Sequence, residues 1–309
     1  MNPAPPTGTV RILYHGLIPD EVGSTYWESR KEHVRALGLP VEIAWRALDP
    51  ATYAAVTPAE LARLAVGEAA QALAIARNVA QSDPGTFDAV VIGVIQDTGL
   101  DLCRTLVDVP VVGYGQASTL VSRAVAGRAG LLLFNPDLAE LVEARLARVV
   151  PGHLVATELL NVSYHQLVAS FAGGEPAEDL ARQAHAAGRA LAARGAQVVI
   201  PGQMLLAESL WSLGARQLGG LKVIDGLGAT LGLASLLVQL QRTTGLGTPR
   251  EGFAWSAPPA AVRDLLGLSR TAPGSAPAGP ATGEPLGPTA GGESTGTGPA
   301  DNPLGNLGL

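Results

Sequence analysis

Two acid–base side chains stand where apolar runs stop. Asp97 comes shortly after DAVVIGVI (Asp88–Ile95), and His15 follows the run Val10–Tyr14. A carboxylate or imidazole so placed is a candidate base for an acidic proton, provided its surroundings bring its pKa toward neutrality. Hydrogen-bonding residues accompany them: Thr98 and Gly99 beside Asp97, Gln116 and Ser118 after VPVVGYG, Gln203 after Pro201–Gly202, and Asp225 in KVIDG. Backbone N–H groups at helix starts near Thr98, Ser118 and Gln203 could hold a carboxylate or an enolate-like oxyanion. Gln203 itself could read a substrate amide or carboxylate. Plainer roles exist for several of these residues. A helix cap explains Asp97 as well as catalysis does, explains Asp225 better, and is open to Ser118. His15 in a loop can simply hydrogen-bond locally.

The elements that must position these residues are legible in the same stretches. Asp88–Ser118 reads as strand, loop, helix, strand, loop. Continuous apolar runs are the mark of parallel strands covered on both faces. Ligands of such sheets bind beyond the carboxyl ends of the strands. That rule puts Gln96, Asp97, Thr98 and Gly99, then Gln116, Ala117 and Ser118, at a crevice. Ala196–Thr230 has the same grammar: VVI runs into Pro201–Gly202, a helix follows, then KVIDG. Two such units suggest two similar lobes facing one cleft.

Elsewhere, Val10–Tyr14 is a first strand and VEIAWRA, from Val41, a second. Thr57-Pro58-Ala59-Glu60 is a helix start, with Thr57 as cap, Pro58 in the first turn and Glu60 closing a capping box. Leu61, Leu64, Ala65, Ala72, Ile75, Ala76 and Val79 continue it at mostly helical spacing. After Ser118 come a helix (TLVSRAVAG), a strand (GLLLFN), a helix opened by Asn135–Pro136 and a strand (HLVATELL). NVSYHQLVASF has no clear pattern. A helix opened by Pro176 carries Leu180, Ala184, Ala187 and Leu191 on one stripe and stops at Gly195. The division that follows is a first lobe over residues 9–119, a second over 120–227, and a helix over 228–243 that returns to the first lobe. The Gly-, Pro- and Ala-rich tail over 273–309 is too poor in large apolar residues to order itself.

Composition excludes several classes. The chain has 309 residues, 47% of them hydrophobic and 16% charged, with a net charge of -6. No basic stripe is available for nucleic acid. Lys31 and Lys222 are the only lysines, which leaves little material for Schiff-base chemistry. The single cysteine, Cys103, rules out an internal disulfide and a CxxC metal site. It falls on the helix behind the crevice, where a buried apolar role suits it better than a catalytic one. His165, His185 and Glu208 read as surface or helix-face residues. No secretory signal is legible at the start, and LGLASLLVQL is too short to span a bilayer. A soluble cytoplasmic protein with a small-molecule partner, no metal and no cofactor is the expectation, and a homo-oligomer stays open.

Taken together, VVIGVIQDTGLDLCRTLVDVPVVGYGQAS, GLLLFN, GAQVVIPGQ, KVIDG and the later TTGLG resemble the aspartate/glutamate/hydantoin racemase superfamily, nearest its hydantoin racemase-like branch. The likeness covers most of Val10–Trp255. It implies an α/β fold of two similar lobes with mainly parallel sheets flanked by helices, related by a pseudo-twofold, with the substrate in the cleft between them. It also implies cofactor-independent racemisation by two cysteines. Those positions hold Val94 and Gln203 in this chain. Valine has no titratable group, and a glutamine amide is no base near neutral pH.

Two readings follow. One is an isomerase-like enzyme that moves an α-proton of an amino-acid or hydantoin-like molecule without thiols, using Asp97 or His15. The other is an inactive racemase-fold protein that binds a small carboxylate or imide as a sensor or accessory factor. A dinucleotide site is disfavoured, because GYGQAS lacks the third glycine of the phosphate-binding turn.

Overall fold

The structure is a computed structural model that describes residues 8–20, 24–57, 61, 64–252 and 255–270. The tail expectation for 273–309, together with Pro58 and Glu60 of the expected capping box, lies outside the described residues.

Two parallel sheets are built in the same strand order. The first contains β1 (Val10–His15), β2 (Val41–Arg46), β3 (Ala89–Ile92) and β4 (Val111–Gly113), arranged β2-β1-β3-β4. The second contains β5 (Ala129–Leu133), β6 (Leu154–Leu159), β7 (Val198–Pro201), β8 (Gln217–Leu218) and β9 (Leu221–Val223), arranged β6-β5-β7-β9-β8. Among the described residues only the β8–β9 pair is antiparallel. The apolar runs AVVI, AGLLL and VVIP form β3, β5 and β7 and are buried throughout, as strands covered on both faces must be. Edge strand β2 alternates half-buried Val41, Ile43 and Trp45 with exposed Glu42, Ala44 and Arg46. Register aligns the first sheet's carboxyl ends, because His15 pairs with Ile92 and Ile92 with Gly113.

The helices are α1 (Ser24–Leu37), α2 (Pro50–Val56), α3 (Ala65–Gln81), α4 (Leu100–Arg104), α5 (Tyr114–Val125), α6 (Ala139–Val149), α7 (Tyr164–Ser170), α8 (Gly174–Ala193), α9 (Met204–Ser212), α10 (Gly226–Thr244) and α11 (Ala260–Leu265). Helix α10 packs on α5, β3, β4 and β1. Tyr26, Trp27, Ile95 and Tyr114, from segments of the first sheet's lobe, join the apolar cluster that holds β5 and β7.

Three expectations change. The helix expected from Thr57 begins at Ala65. Thr57 instead closes α2, its Oγ1 donating to the Tyr53 carbonyl at 2.6 Å, because Asp49–Pro50 starts that helix first. Helix α5 begins at Tyr114, so Gln116 and Ser118 lie inside it rather than in a loop. The unassigned NVSYHQLVASF contains α7, whose capping box pairs Ser163 Oγ with the Gln166 amide and Gln166 Oε1 with the Ser163 amide.

Candidate functional site

The strand ends of both sheets open into one cleft. The segment after β1 contributes Leu17 and Ile18, and that after β3 contributes Gly93, Val94, Ile95 and Gln96. From the other lobe come Phe134 and Asn135 after β5, Tyr164 beyond β6, and Gln203, Met204 and Leu205 after β7. Tyr26 of α1, Tyr53 of α2, and Glu68 and Gln71 of α3 complete much of the wall. The cleft has a volume of about 130 Å³.

Val94 and Gln203 are 6% and 8% exposed and both line this cleft. Gln203 is the N-cap residue of α9, yet its side chain makes no cap bond. Its Oε1 accepts from the Phe134 amide at 2.9 Å, which orients the side chain across the lobe. Its Nε2 is buried with no hydrogen-bond partner, and so is the Tyr164 hydroxyl. Both are therefore donors on the cleft wall with nothing to donate to. Such orphans are rare in native interiors, and a bound polar group is one explanation of them.

Glu68 is the carboxylate on this wall among the described residues. It pairs with Arg145 of α6, across the lobes. Tyr26 is fully ordered from behind: its hydroxyl oxygen accepts from Arg30 Nη1 at 2.8 Å.

The two expected bases are not on the wall. Asp97 adopts φ +54°, a left-handed turn that directs its carboxylate at the start of α5. There its oxygens accept from the Gly115 and Gln116 amides, each at 2.8 Å. Asp97 thus caps a helix, but α5 rather than the α4 that follows it. Gly113 makes room for this, since a Cβ there would lie 2.3 Å from Asp97 Oδ1. Burial pushes the Asp97 carboxyl up to about 7, and the two amides offset only part of that. His15 is fully buried, and its Nε2 faces Asn78 Nδ2 at 3.0 Å. Burial pulls its pKa down to about 4, so it is neutral near pH 7.

The remaining sequence candidates scatter. Thr98 is buried, with no partner for its hydroxyl, and does not line the cleft. Gly99 is the left-handed residue (φ +78°) that precedes α4. Gln116 Oε1 accepts from Arg104 Nη2 at 2.8 Å, and Ser118 is buried on α5. Cys103 is buried among apolar residues, which pushes its thiol up to about 12.

Asp225 belongs to a second cluster, away from the cleft wall. It caps α10 through the Gly228 amide at 2.9 Å and receives His33 Nε2 at 3.1 Å. His33 Nδ1 lies 3.3 Å from both oxygens of Glu208. Glu208, expected on a solvated face, is 1% exposed, because α1 packs over that side of α9. Burial works against charge on His33, but bonds and charge from Asp225 and Glu208 prevail and raise it to about 9. Burial likewise disfavours the Asp225 carboxylate, and His33, the Gly228 amide and Arg216 together more than compensate, leaving its pKa lowered. The imidazole stands between the two carboxylates. Among the described residues no group of His, Cys, Asp or Glu could hold a metal ion. Nor is any described helix long and apolar enough to cross a membrane.

Sequence reasoning missed Tyr26, Arg30, Glu68, Arg145 and Tyr164. A signal existed for Tyr164, which lies inside the Ser163–Gln166 capping box just past a strand end. For Tyr26 and Arg30 there was none, because the buried face of α1 is Tyr26, Trp27, Arg30 and His33 and shows no aliphatic stripe.

A model of the Asp/Glu/hydantoin racemase family matches residues 28–234. Similar solved structures include allantoin racemase from Klebsiella pneumoniae, with 22% identity and a TM-score of 0.62 over 81% of this chain and 94% of that one. Allantoin racemase from Pseudomonas fluorescens gives 22% identity and 0.64 over 80% and 97%. A glutamate racemase from Bacillus anthracis gives 13% and 0.50 over 76% and 83%. At these identities the likeness is one of fold. No curated protein sequence matches the chain.

Proposed function

The chain belongs to the Asp/Glu/hydantoin racemase family, whose fold supports an isomerase-like function, and from that premise we propose that the cleft takes a small amide-bearing ring of the hydantoin type and moves its α-proton without thiols. The observation that carries this reading is the unpartnered Gln203 Nε2 on the cleft wall, opposite in role to a thiol: it can hold a carbonyl oxygen but cannot take a proton.

A proton on the carbon beside a carbonyl leaves only if its electron pair can spread onto the oxygen. Gln203 Nε2 and the Tyr164 hydroxyl are unpartnered groups on the wall that can donate to that oxygen. Each such donor is typically worth about 10²–10³ in rate. Glu68 is the carboxylate in position to take the proton, once Arg145 yields it. General-base catalysis of that kind contributes about 10²–10⁴. The proton on Glu68 passes to solvent, and a proton delivered by water to the opposite face of the planar intermediate inverts the centre. Asp97 has both oxygens engaged by amides, and His15 is off the wall with its basicity lowered by burial, so neither takes this role here. The ligand carries no carboxylate in this reading, because the Arg145–Glu68 pair leaves the wall itself no free cation among the described residues to meet one.

A second reading has its own support. Val94 and Gln203 occupy both positions where the family resemblance requires thiols. That double replacement favours a cleft that binds the same ring without turning it over.

One experiment separates the two. The protein is held in D₂O with 5-substituted hydantoins, amino acids and arylmalonates, and α-proton signals are followed by proton NMR against a protein-free control. Accelerated loss of the hydantoin C5 proton, reduced about 100-fold or more by Glu68→Gln, supports proton transfer. Thermal stabilisation by hydantoins without exchange supports the binder. Neither exchange nor stabilisation would remove the hydantoin-type ligand altogether.

A further inference from the structure

Arg30 is a cation buried behind the cleft with no carboxylate bonded to it. It sits on α1 and is 0% exposed. Its guanidinium carbon lies 4.1 Å from the Tyr14 ring centroid, 5.2 Å from Tyr26, 5.1 Å from Trp27 and 5.3 Å from Trp45. Nη1 donates to the Tyr26 hydroxyl, while Nε and Nη2 have no hydrogen-bond partner. Glu208 is the carboxylate whose charge reaches it, but the Glu208 oxygens are bonded to His33. Aromatic faces recover only part of what a guanidinium loses on leaving water. An apolar side chain would fill this place at lower cost to the fold. A charge kept there calls for a use, and the nearest feature with one is the cleft, because Tyr26 forms part of its wall.

The chemistry of the contact sets its direction. A guanidinium only donates, so the Tyr26 oxygen must accept. A phenol that accepts from a cation becomes a stronger donor with its own proton, and no described residue accepts that proton. Water is largely excluded on this side, where the field of a fixed cation is poorly screened.

The geometry points to Arg30 and Tyr26 as a preorganised pair that favours the anionic form of the cleft ligand, an enolate or ionised imide, over its neutral form. Tyr26 is the group that meets the ligand, and Arg30 is a positioning residue that acts through it. The inference rests on the proposed hydantoin-type ligand and adds which charge state of it the cleft selects. No bond to the protein forms or breaks.

The test compares two cyclic probes by calorimetry at neutral pH: hydantoin, which is neutral there, and barbiturate, which is an anion. The intact protein is expected to bind barbiturate more tightly. Arg30→Met keeps the shape and removes the charge, and is expected to lower the barbiturate-to-hydantoin affinity ratio about ten-fold while hydantoin itself still binds. Tyr26→Phe is expected to lower the ratio in the same direction, and it decides the matter if Arg30→Met does not fold. A merely structural Arg30 would weaken both probes together. An unchanged ratio in Tyr26→Phe, equal loss of both probes, or a parent that prefers hydantoin overturns the inference and leaves the proposed ligand standing. Binding of neither probe by the parent overturns both.

Discussion

Asp97 carries three unusual features at once: a left-handed backbone, near-complete burial and two amide bonds to the start of α5. Its type and position suggested a base, and its contacts describe a brace. The consequence is a pH dependence with a definite sign. Its carboxyl is raised from its ordinary 3.8 to about 7 in the fold. The folded state therefore binds this proton more readily than the unfolded chain does. The stabilisation is complete below about pH 4 and is lost as pH rises toward about 7. Asp97→Asn abolishes that slope. It also turns an NH₂ toward one of the two amides, costing about 1–2 kcal/mol. Urea unfolding of parent and variant at several pH values between 4 and 8 checks both points, because all other titrations cancel in the difference. A slope unchanged in the variant would assign the pH dependence elsewhere.

Helices in this protein are placed by what their small residues permit. Gly188 in α8 lies against β8, where a Cβ would stand 2.3 Å from the Leu218 carbonyl oxygen and 2.4 Å from its carbon. Gly232 in α10 has nothing within 4 Å of its Cβ position. Helix propensity alone would reward alanine at either site by about 1 kcal/mol. At Gly188 the clash is with backbone, and overpacking of that kind costs about 1–3 kcal/mol. Gly188→Ala is thus expected to lower the melting temperature, and Gly232→Ala to raise it slightly. Opposite signs in the two thermal melts are the checkable outcome. Propensity cannot separate these glycines, since both sit in helix interiors, and only the neighbour across the interface does so.

At the scale of the molecule, charged groups join the two lobes on two sides. Glu68 and Arg145 meet at the cleft, and His33 meets Glu208 and Asp225 away from it, with its ring stacked on Trp211 at 4.2 Å. The second join titrates. His33 is raised from 6.5 to about 9 in the fold, so its stabilisation is full below about pH 6.5 and fades as pH climbs through about 9. Groups facing it are Glu208 on α9 and Asp225 before α10, with Arg30 acting on Glu208 and Arg216 on Asp225. His33→Gln is expected to remove the decline in stability between about pH 6.5 and pH 9. Denaturation series of the two proteins across that range measure it. A parent whose stability is flat there would place the imidazole in its neutral form.

Much of this was legible before any coordinates. Continuous apolar runs ending near Ile95, Gly115 and Pro201–Gly202 are a local, one-dimensional signal, and they specified parallel strands and their carboxyl edge; the family resemblance singled out Val94 and Gln203 there. The absence of usable thiols was equally plain from residue type. The rest depended on distance in space between segments far apart in the chain. Helix α1 buries a Tyr-Trp-Arg-His face that no hydropathy pattern reveals, and its His33 is satisfied by residues more than a hundred positions away, Glu208 and Asp225. Asp97 and His15 have the right chemistry at the right strand ends, yet side-chain direction is set by a backbone angle and by neighbours across the lobe. Sequence determined where a site had to lie, since strand ends are set by local chain properties. Which side chains enter it was decided only by the packing of one lobe against the other.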